Sequence, residues 1–404
     1  MNIMQTEGTA EQAQLLQAVG AVMRVSTVTA GRPGDGFVYR FTGILTAESH
    51  RAYAQLEPRF STAGYTLVFR ENEGEHVVLA MPGMQPPKKT RAAVNLLLFL
   101  LTLFSMLFSG AMSAYRGPTD LPFSQLVLAI LSQLDAGIPF ATSLLAILAA
   151  HEFGHYFAAR RHGTAVTLPY FIPFPGSPFG TMGAFIQLQQ PPKNKRVLLD
   201  IGLAGPLAGL VVAIPVLLYG LYLSPVDVLP MASAMQPGQV LEGNSLLYLA
   251  AKYLVKGELL PMPLSYEGMS PLLYWARYLL VGQPLPFGGR DILLHPVAWA
   301  GWAGLLVTSL NLIPVGQLDG GHILFSLFGK RVRRIWPVMV ILLFVMGMVW
   351  SGWYLWAAFI FVLGRNVAQP LDAITRLDPR RRAWAVFGLL VALLVFIPVP
   401  LVAF

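Results

Sequence analysis

The feature that most constrains this chain is a series of apolar runs close to the length of a bilayer, each flanked by basic residues. They cover about Ala93–Met112, Ile138–Ala159, Val197–Leu223 and Leu293–Ile313, then a block over 335–364 and a last run over Ala383–Phe404. A helix needs roughly 20 apolar residues to cross a hydrocarbon core, and in lipid a helix satisfies all its own backbone groups. The sequence therefore predicts an α-helical polytopic membrane protein with about six transmembrane segments. As one helix, the 335–364 block would be about 45 Å long, so a turn near Gly347 or Gly352 is expected.

Composition agrees. Of 404 residues, 55% are hydrophobic and 12% charged, against about 25% charged in a soluble domain. The net charge is +8, and the basic residues cluster beside the apolar runs. Lys88, Lys89 and Arg91 precede the first, and Arg160 and Arg161 follow the second. Lys193, Lys195 and Arg196 precede the third; Lys330, Arg331, Arg333 and Arg334 follow the fourth. One alternation of spans puts all of them on the cytoplasmic side. The charge excess thus belongs to membrane orientation, and the expected partner is the lipid bilayer, with no nucleic acid. The absence of cysteine excludes a thiol nucleophile, a thiolate metal site and disulfides.

Residues 1–88 read as a small soluble, cytosolic α/β accessory domain. A helix is expected over Ala10–Met23, with strands at 37–41, Tyr65–Arg70 and His76–Ala80. Met84–Lys89 reads as a linker, and no short apolar core of a cleavable signal precedes it. Residues 89–365 form the membrane-embedded core, and 366–404 a basic linker with a C-terminal transmembrane helix.

The strongest chemical signal is His151-Glu152-Phe153-Gly154-His155. Histidines four apart on a helix share a face and can reach one metal ion. Glu152 is placed to take a proton from a metal-bound water. Zinc suits imidazole ligands, needs no redox change, and brings the bound water's pKa toward about 7. The plainer alternative, a helix end whose polar groups snorkel to water, fits poorly with flanking Leu148, Ala149, Ala150 and Phe153, because ionisable groups in such surroundings are costly. Two histidines leave the site one ligand short. Asp319, in the Pro- and Gly-broken stretch from Asn311 to His322, can complete a His, His, Asp set for one Zn2+ per chain; the alternative is a helix-leaving Asp-Gly-Gly turn.

These paired motifs resemble the site-2 protease family of intramembrane zinc metalloproteases. Its members join a His-Glu-x-x-His helix to a distant Asn-x-x-Pro-x-x-x-x-Asp-Gly segment, here Asn311 to Gly320. Gly180–Ile186 and His295–Trp302 resemble the branch with bacterial, cyanobacterial and chloroplast members. The resemblance covers about 93–365. It implies zinc ligation by His151, His155 and Asp319, Glu152 as general base and acid, and Asn311 as a substrate or oxyanion contact. It also implies hydrolysis of peptide bonds in or near transmembrane segments, single-span membrane proteins as substrates, and a cytoplasmic active-site side in a plasma or inner membrane if the source is bacterial. No recognisable PDZ-like insert separates the motifs.

Several secondary readings follow. Residues 165–190, rich in proline with an alternating stretch over 184–189, read as a re-entrant loop or β-hairpin-like element whose edge could pair with an unwound substrate. Gly202, Gly205 and Gly209 read as a close-packing face against the metal helix. Leu246–Val255 and Leu272–Val281 read as interfacial helices that cover or gate the site. His295 is not counted as a ligand, and His322, beside Asp319, reads as a cap-region residue, the alternative being a contact to a ligand residue or to substrate. Two other functions compete: a membrane zinc transporter, which would have little use for Glu152 and would need a polar path, and an inactive relative that binds membrane proteins.

Overall fold

The computed structural model describes residues 3–83, 91–118, 120–231, 240–366 and 368–403; the linker expected over Met84–Lys89 and the boundary at 88 lie outside the described residues. The first stretch contains α1 (Ile3–Gly20), β1 (Met23–Ala30), β2 (Tyr39–Leu45), α2 (Ser49–Thr62), β3 (Tyr65–Asn72) and β4 (Glu75–Pro82). The strands form one antiparallel sheet in the order β1-β2-β4-β3. Val19, Leu56 and Phe60 from the helices bury against Phe41, Phe69 and Val78 from the strands. The first helix stops three residues before the expected Met23. Gly20 is a poor helix former, and the following Val, Ser and Thr residues favour a strand, β1, which the sequence reading missed.

The rest of the chain is mostly helical. It runs α3 (Ala92–Ala114), α4 (Phe123–Leu131), α5 (Ile138–Arg161), β5 (Tyr170–Pro173), β6 (Thr181–Phe185), α6 (Lys195–Leu223), β7 (Val226–Val228), β8 (Val240–Glu242), α7 (Leu246–Lys256), α8 (Pro271–Val281), β9 (Arg290–Ile292), α9 (Pro296–Asn311), α10 (Asp319–Phe328), α11 (Ile335–Met346), α12 (Gly352–Leu363), α13 (Pro379–Val395) and β10 (Leu401–Ala403). Among the described residues, three helices are long and apolar enough to cross a membrane: α3, α5 with the 3-10 turn before it, and α6, of 23, 28 and 29 residues. The chain is an integral membrane protein.

Local chemistry sets the ends of these helices. Pro139 opens α5, and Arg160 and Arg161 close it against the helix dipole. Asn194 caps α6, its side chain accepting from Arg196 and Val197 N–H, both at 3.0 Å. The fourth expected span, Leu293–Ile313, shortens to the 16 residues of α9. The His295-Pro296 cap starts it late, and irregular backbone ahead of Pro314 ends it early. The 335–364 block is two helices broken at 347–351, where the turn was expected. The last run is not helical to Phe404. Pro398 and Pro400 stop α13 at Val395, and β10 pairs antiparallel with β8.

Helices α5, α6 and α9 pack together around Leu144, Leu148, Leu199, Trp302 and Leu305. The N-terminal sheet docks onto this bundle through residues 370–373. Phe69 N–H donates to the Leu371 carbonyl (2.9 Å), and Ala373 N–H to that of Phe69 (3.2 Å). On its other side the segment meets the loop before α6, with Asp372 N–H on the Lys193 carbonyl at 2.8 Å. The edge strand β3, otherwise open to non-native pairing, is covered. Asp372 is fully buried. Its carboxylate accepts from Ile374 N–H (2.8 Å), Thr375 N–H (3.1 Å), Ser49 hydroxyl (2.7 Å) and Thr375 hydroxyl. Asp372→Ala leaves these donors buried and unpaired, at a cost of about 3 kcal/mol. The purified variant is expected to melt several degrees lower in detergent by scanning fluorimetry; an unchanged melting curve would show that the junction adds no stability.

Candidate metal centre

The helix α5 carries His151 and His155 one turn apart, both buried. Their facing Nε2 atoms lie 3.2 Å from each other. Asp319, the first residue of α10, reaches both: Oδ2 is 3.3 Å from His151 Nε2 and Oδ1 is 3.3 Å from His155 Nε2. One donor atom from each residue falls within 4.8 Å of the others, the spacing of a metal-binding group. Residues 164 and 168 apart in sequence thus meet at one point.

The neighbouring helix decides how the histidines stand. His155 Nδ1 is 2.7 Å from the Ile201 carbonyl of α6. A carbonyl can only accept, so Nδ1 carries the proton and Nε2 presents its lone pair to the centre. That contact needs α6 to lie almost against the imidazole. A Cβ built on Gly205 would sit 2.0 Å from His155 Nε2, and one on Gly154 of α5 would sit 2.5 Å from the Ala204 carbonyl. Both positions exclude any larger residue. Gly205 was legible as part of a packing face, but the role of Gly154 and the Ile201 carbonyl, which has no side-chain signature, were missed.

Glu152 is buried beside the histidines at 4% exposure, and Ile186, just beyond β6, lines the same cleft. Asn311, the last residue of α9, is half-buried with its amide nitrogen 3.2 Å from His151 Nε2. A cleft of about 190 Å³ joins all five residues with Ala184, Phe185, Gln317 and His322 on its walls. His322 is not a simple cap residue. It lies within α10 on the cleft wall, and its Nε2 is buried without a hydrogen-bond partner. His295, as expected, is no ligand: it caps α9 at the other end, Nδ1 accepting from Val297 N–H at 3.3 Å.

Depth follows from helix rise. His155 lies about 9 Å from the C-terminus of α5, and Gly205 about 15 Å from the N-terminus of α6. The donors therefore sit inside the apolar bundle, nearer the end that carries the basic residues and the N-terminal sheet. The helices α7 and α8 do not cover the cleft; none of its lining residues comes from them. Residues 165–190 form an antiparallel β5–β6 hairpin, with Met182 and Phe185 exposed on β6.

Comparison with known proteins agrees with this geometry. The profile of the family described as "Peptidase family M50" matches residues 139–351, more than half of the chain. The Oryza sativa subsp. japonica protein named "Probable zinc metalloprotease EGY1, chloroplastic" is 28% identical over 321 residues, 76% of this chain and 50% of that protein. "Probable zinc metalloprotease EGY2, chloroplastic" of Oryza sativa subsp. indica is 31% identical over 67% of this chain and 44% of its own length. Its Arabidopsis thaliana namesake is 28% identical over 92% of this chain and 62% of its own length. The chain spans about half the length of the first of these relatives. No solved structure matches it.

Gly205→Ala should displace the His155 imidazole and lower metal content about 10-fold or more. Metal per chain is measured by mass spectrometry after gel filtration, with circular dichroism as a fold check; full occupancy in a folded variant would refute the steric argument.

Proposed function

The chain belongs to peptidase family M50, and from that premise we propose that it is a zinc metalloprotease that cuts other membrane proteins, single-span ones foremost, in or near their transmembrane segments. The observation that carries this reading is the meeting of His151, His155 and Asp319 beside Glu152 within the apolar bundle. Tetrahedral zinc with nitrogen and oxygen ligands at about 2.0–2.1 Å sets neighbouring donors about 3.3 Å apart. The separations of 3.2 and 3.3 Å among the three side chains fit that requirement. When bound, the ion activates a water and polarises the scissile carbonyl.

The chain's own groups do the rest. His155 is held in its ligating tautomer by Ile201. Glu152 accepts the proton of the attacking water and passes it to the leaving amine. Asn311 offers its amide to the oxygen of the reacting carbonyl. The substrate has to be unwound, because a helix hides its carbonyls in its own hydrogen bonds. Strand β6 leads into Ile186 at the cleft and, among the described residues, pairs only with β5. An extended substrate segment adding to its other edge would run beside Glu152.

The remaining architecture is read the same way. The β5–β6 hairpin is re-entrant, and the six membrane segments are α3, α5, α6, α9, the α11–α12 hairpin and α13. Residues 1–88 are a cytosolic accessory domain, 89–365 the protease core and 366–404 the basic linker and final helix. The metal-side end, where Lys193, Lys195 and Lys330 gather, faces the cytoplasm. Neither rival function accounts for a buried Glu152 beside the ligands.

The test is cleavage of a panel of single-span substrates in liposomes by wild type, Glu152→Gln and Asp319→Asn, with zinc assayed in each. Wild type is expected to cleave. Glu152→Gln should keep zinc and lose at least about 100-fold in rate, while Asp319→Asn should lose zinc. If all three hold zinc and none cleaves any substrate, the protease reading fails and zinc flux across the liposome is measured instead.

A further inference from the structure

Helices α7 and α8 are built inside out. Each has 11 residues, about 16 Å at helical rise, too short to cross a bilayer. Ser245 and Ser270 cap their N-termini, and Gly257 and Gly282 end them in the left-handed conformation. Their inward faces carry the polar groups, among core residues such as Leu247 and Ala251. Lys252 is fully buried, with Nζ 3.0 Å from Asp291 and 3.5 Å from Glu242. It lies over the ring of Tyr248, whose hydroxyl donates to Glu242 at 2.9 Å. From the other side, the Asn244 amide donates to the Tyr278 hydroxyl at 3.3 Å.

Their outward faces are apolar. On α7 these are Leu246, Ala250, Tyr253 and Leu254, spaced as one helical stripe, with Leu254 74% exposed. On α8 they are Leu272, Leu273, Ala276, Leu280 and Val281, with Leu272 82% exposed. A helix resting on a water-soluble body has the opposite pattern. Arg277 is the exposed charge of α8, at a position from which a long side chain can snorkel. Lys256 turns back onto the Ser224 carbonyl at 2.6 Å.

The surroundings name the occupant. Helix α7 packs beside the last turns of α6 and against α13, where Tyr219, Tyr222, Leu393 and Leu394 are exposed. The apolar exterior of two bundle helices thus continues without a charged break onto α7. This region lies about 26 Å along α6 from Gly205, at the end away from the metal. We propose that α7 and α8 form a collar immersed in the lipid leaflet opposite the metal end, their outer leucines among acyl chains and their polar faces turned onto the buried Lys252 cluster. The segment is therefore a lateral lipid anchor for the bundle, separate from any cover over the cleft. The assignment holds whatever the chain hydrolyses.

The chain's lack of cysteine makes a direct test simple. Leu254→Cys, Leu272→Cys and Leu280→Cys are each labelled with a nitroxide in the full-length protein, which is then reconstituted into phosphatidylcholine–phosphatidylglycerol vesicles. Collision rates with oxygen and with a water-soluble nickel chelate are measured by power saturation. Leu97→Cys on α3 serves as the lipid reference and Ser61→Cys on α2 as the aqueous one. All three collar positions should match Leu97, with an oxygen-to-nickel ratio severalfold above Ser61. A ratio matching Ser61 overturns the proposal. So does immobilisation with dipolar broadening that disappears on dilution with unlabelled chain, which would assign the face to a second copy. Three independent positions guard against one variant failing to fold.

Discussion

The hydrogen bond from His155 to the Ile201 carbonyl governs much of this structure. It fixes the tautomer of a ligand, and it exists only because α5 and α6 approach closely enough for a backbone carbonyl to meet an imidazole. That approach depends on glycine at 154 and 205, where a methyl group would overlap the opposing helix. In lipid no hydrophobic effect drives two apolar helices together, so small residues and interhelical hydrogen bonds must do it. The packing of the bundle and the preparation of the metal site are consequently the same event. Asp319 joins the site because α10 packs on α6, with a Gly202 Cβ position only 2.9 Å from His322 Cβ.

How far the sequence revealed this varies with the kind of interaction. His151, Glu152 and His155 were legible because helical periodicity alone puts them on one face. Asp319 on its own reads as a helix-leaving turn, and it was legible because two histidines leave a zinc site one protein ligand short. The Ile201 carbonyl was not legible, because every residue carries a backbone and no side chain marks which one is used. His322 was read as a cap residue from its place after Asp-Gly-Gly, whereas packing against Gly202 puts it on the cleft wall. The last helix failed for a more ordinary reason. Hydropathy runs on through Pro398 and Pro400, but the helical hydrogen-bond ladder cannot.

The same contrast separates the two polar clusters away from the metal. Asp372 holds the N-terminal sheet to the bundle through donors from its own segment and from Ser49, more than 300 residues earlier. Lys252 gathers Glu242 and Asp291 beneath short helices. Neither could be read from local pattern: Asp372 lies in a stretch that looks like a basic linker, and Lys252 looks like a charge inserted into an apolar run. In a soluble protein that lysine would be placed on the outside of its helix. Here the outside is apolar, and the lysine goes in.

That inversion bears on why the chain can afford a carboxylate and two histidines inside its apolar bundle. When the exterior solvent is hydrocarbon, burying a polar group against other polar groups costs less than turning it outward. The metal cleft and the Lys252 cluster follow that rule near opposite ends of the bundle. At each, polar atoms are gathered inward and matched to one another. In the metal cleft the pairing is incomplete, with His322 Nε2 buried and unpaired. Unpaired polar atoms lining a cleft leave donors and acceptors for whatever enters it, while the ion pairs of Lys252 and the donors around Asp372 hold the surrounding elements in place.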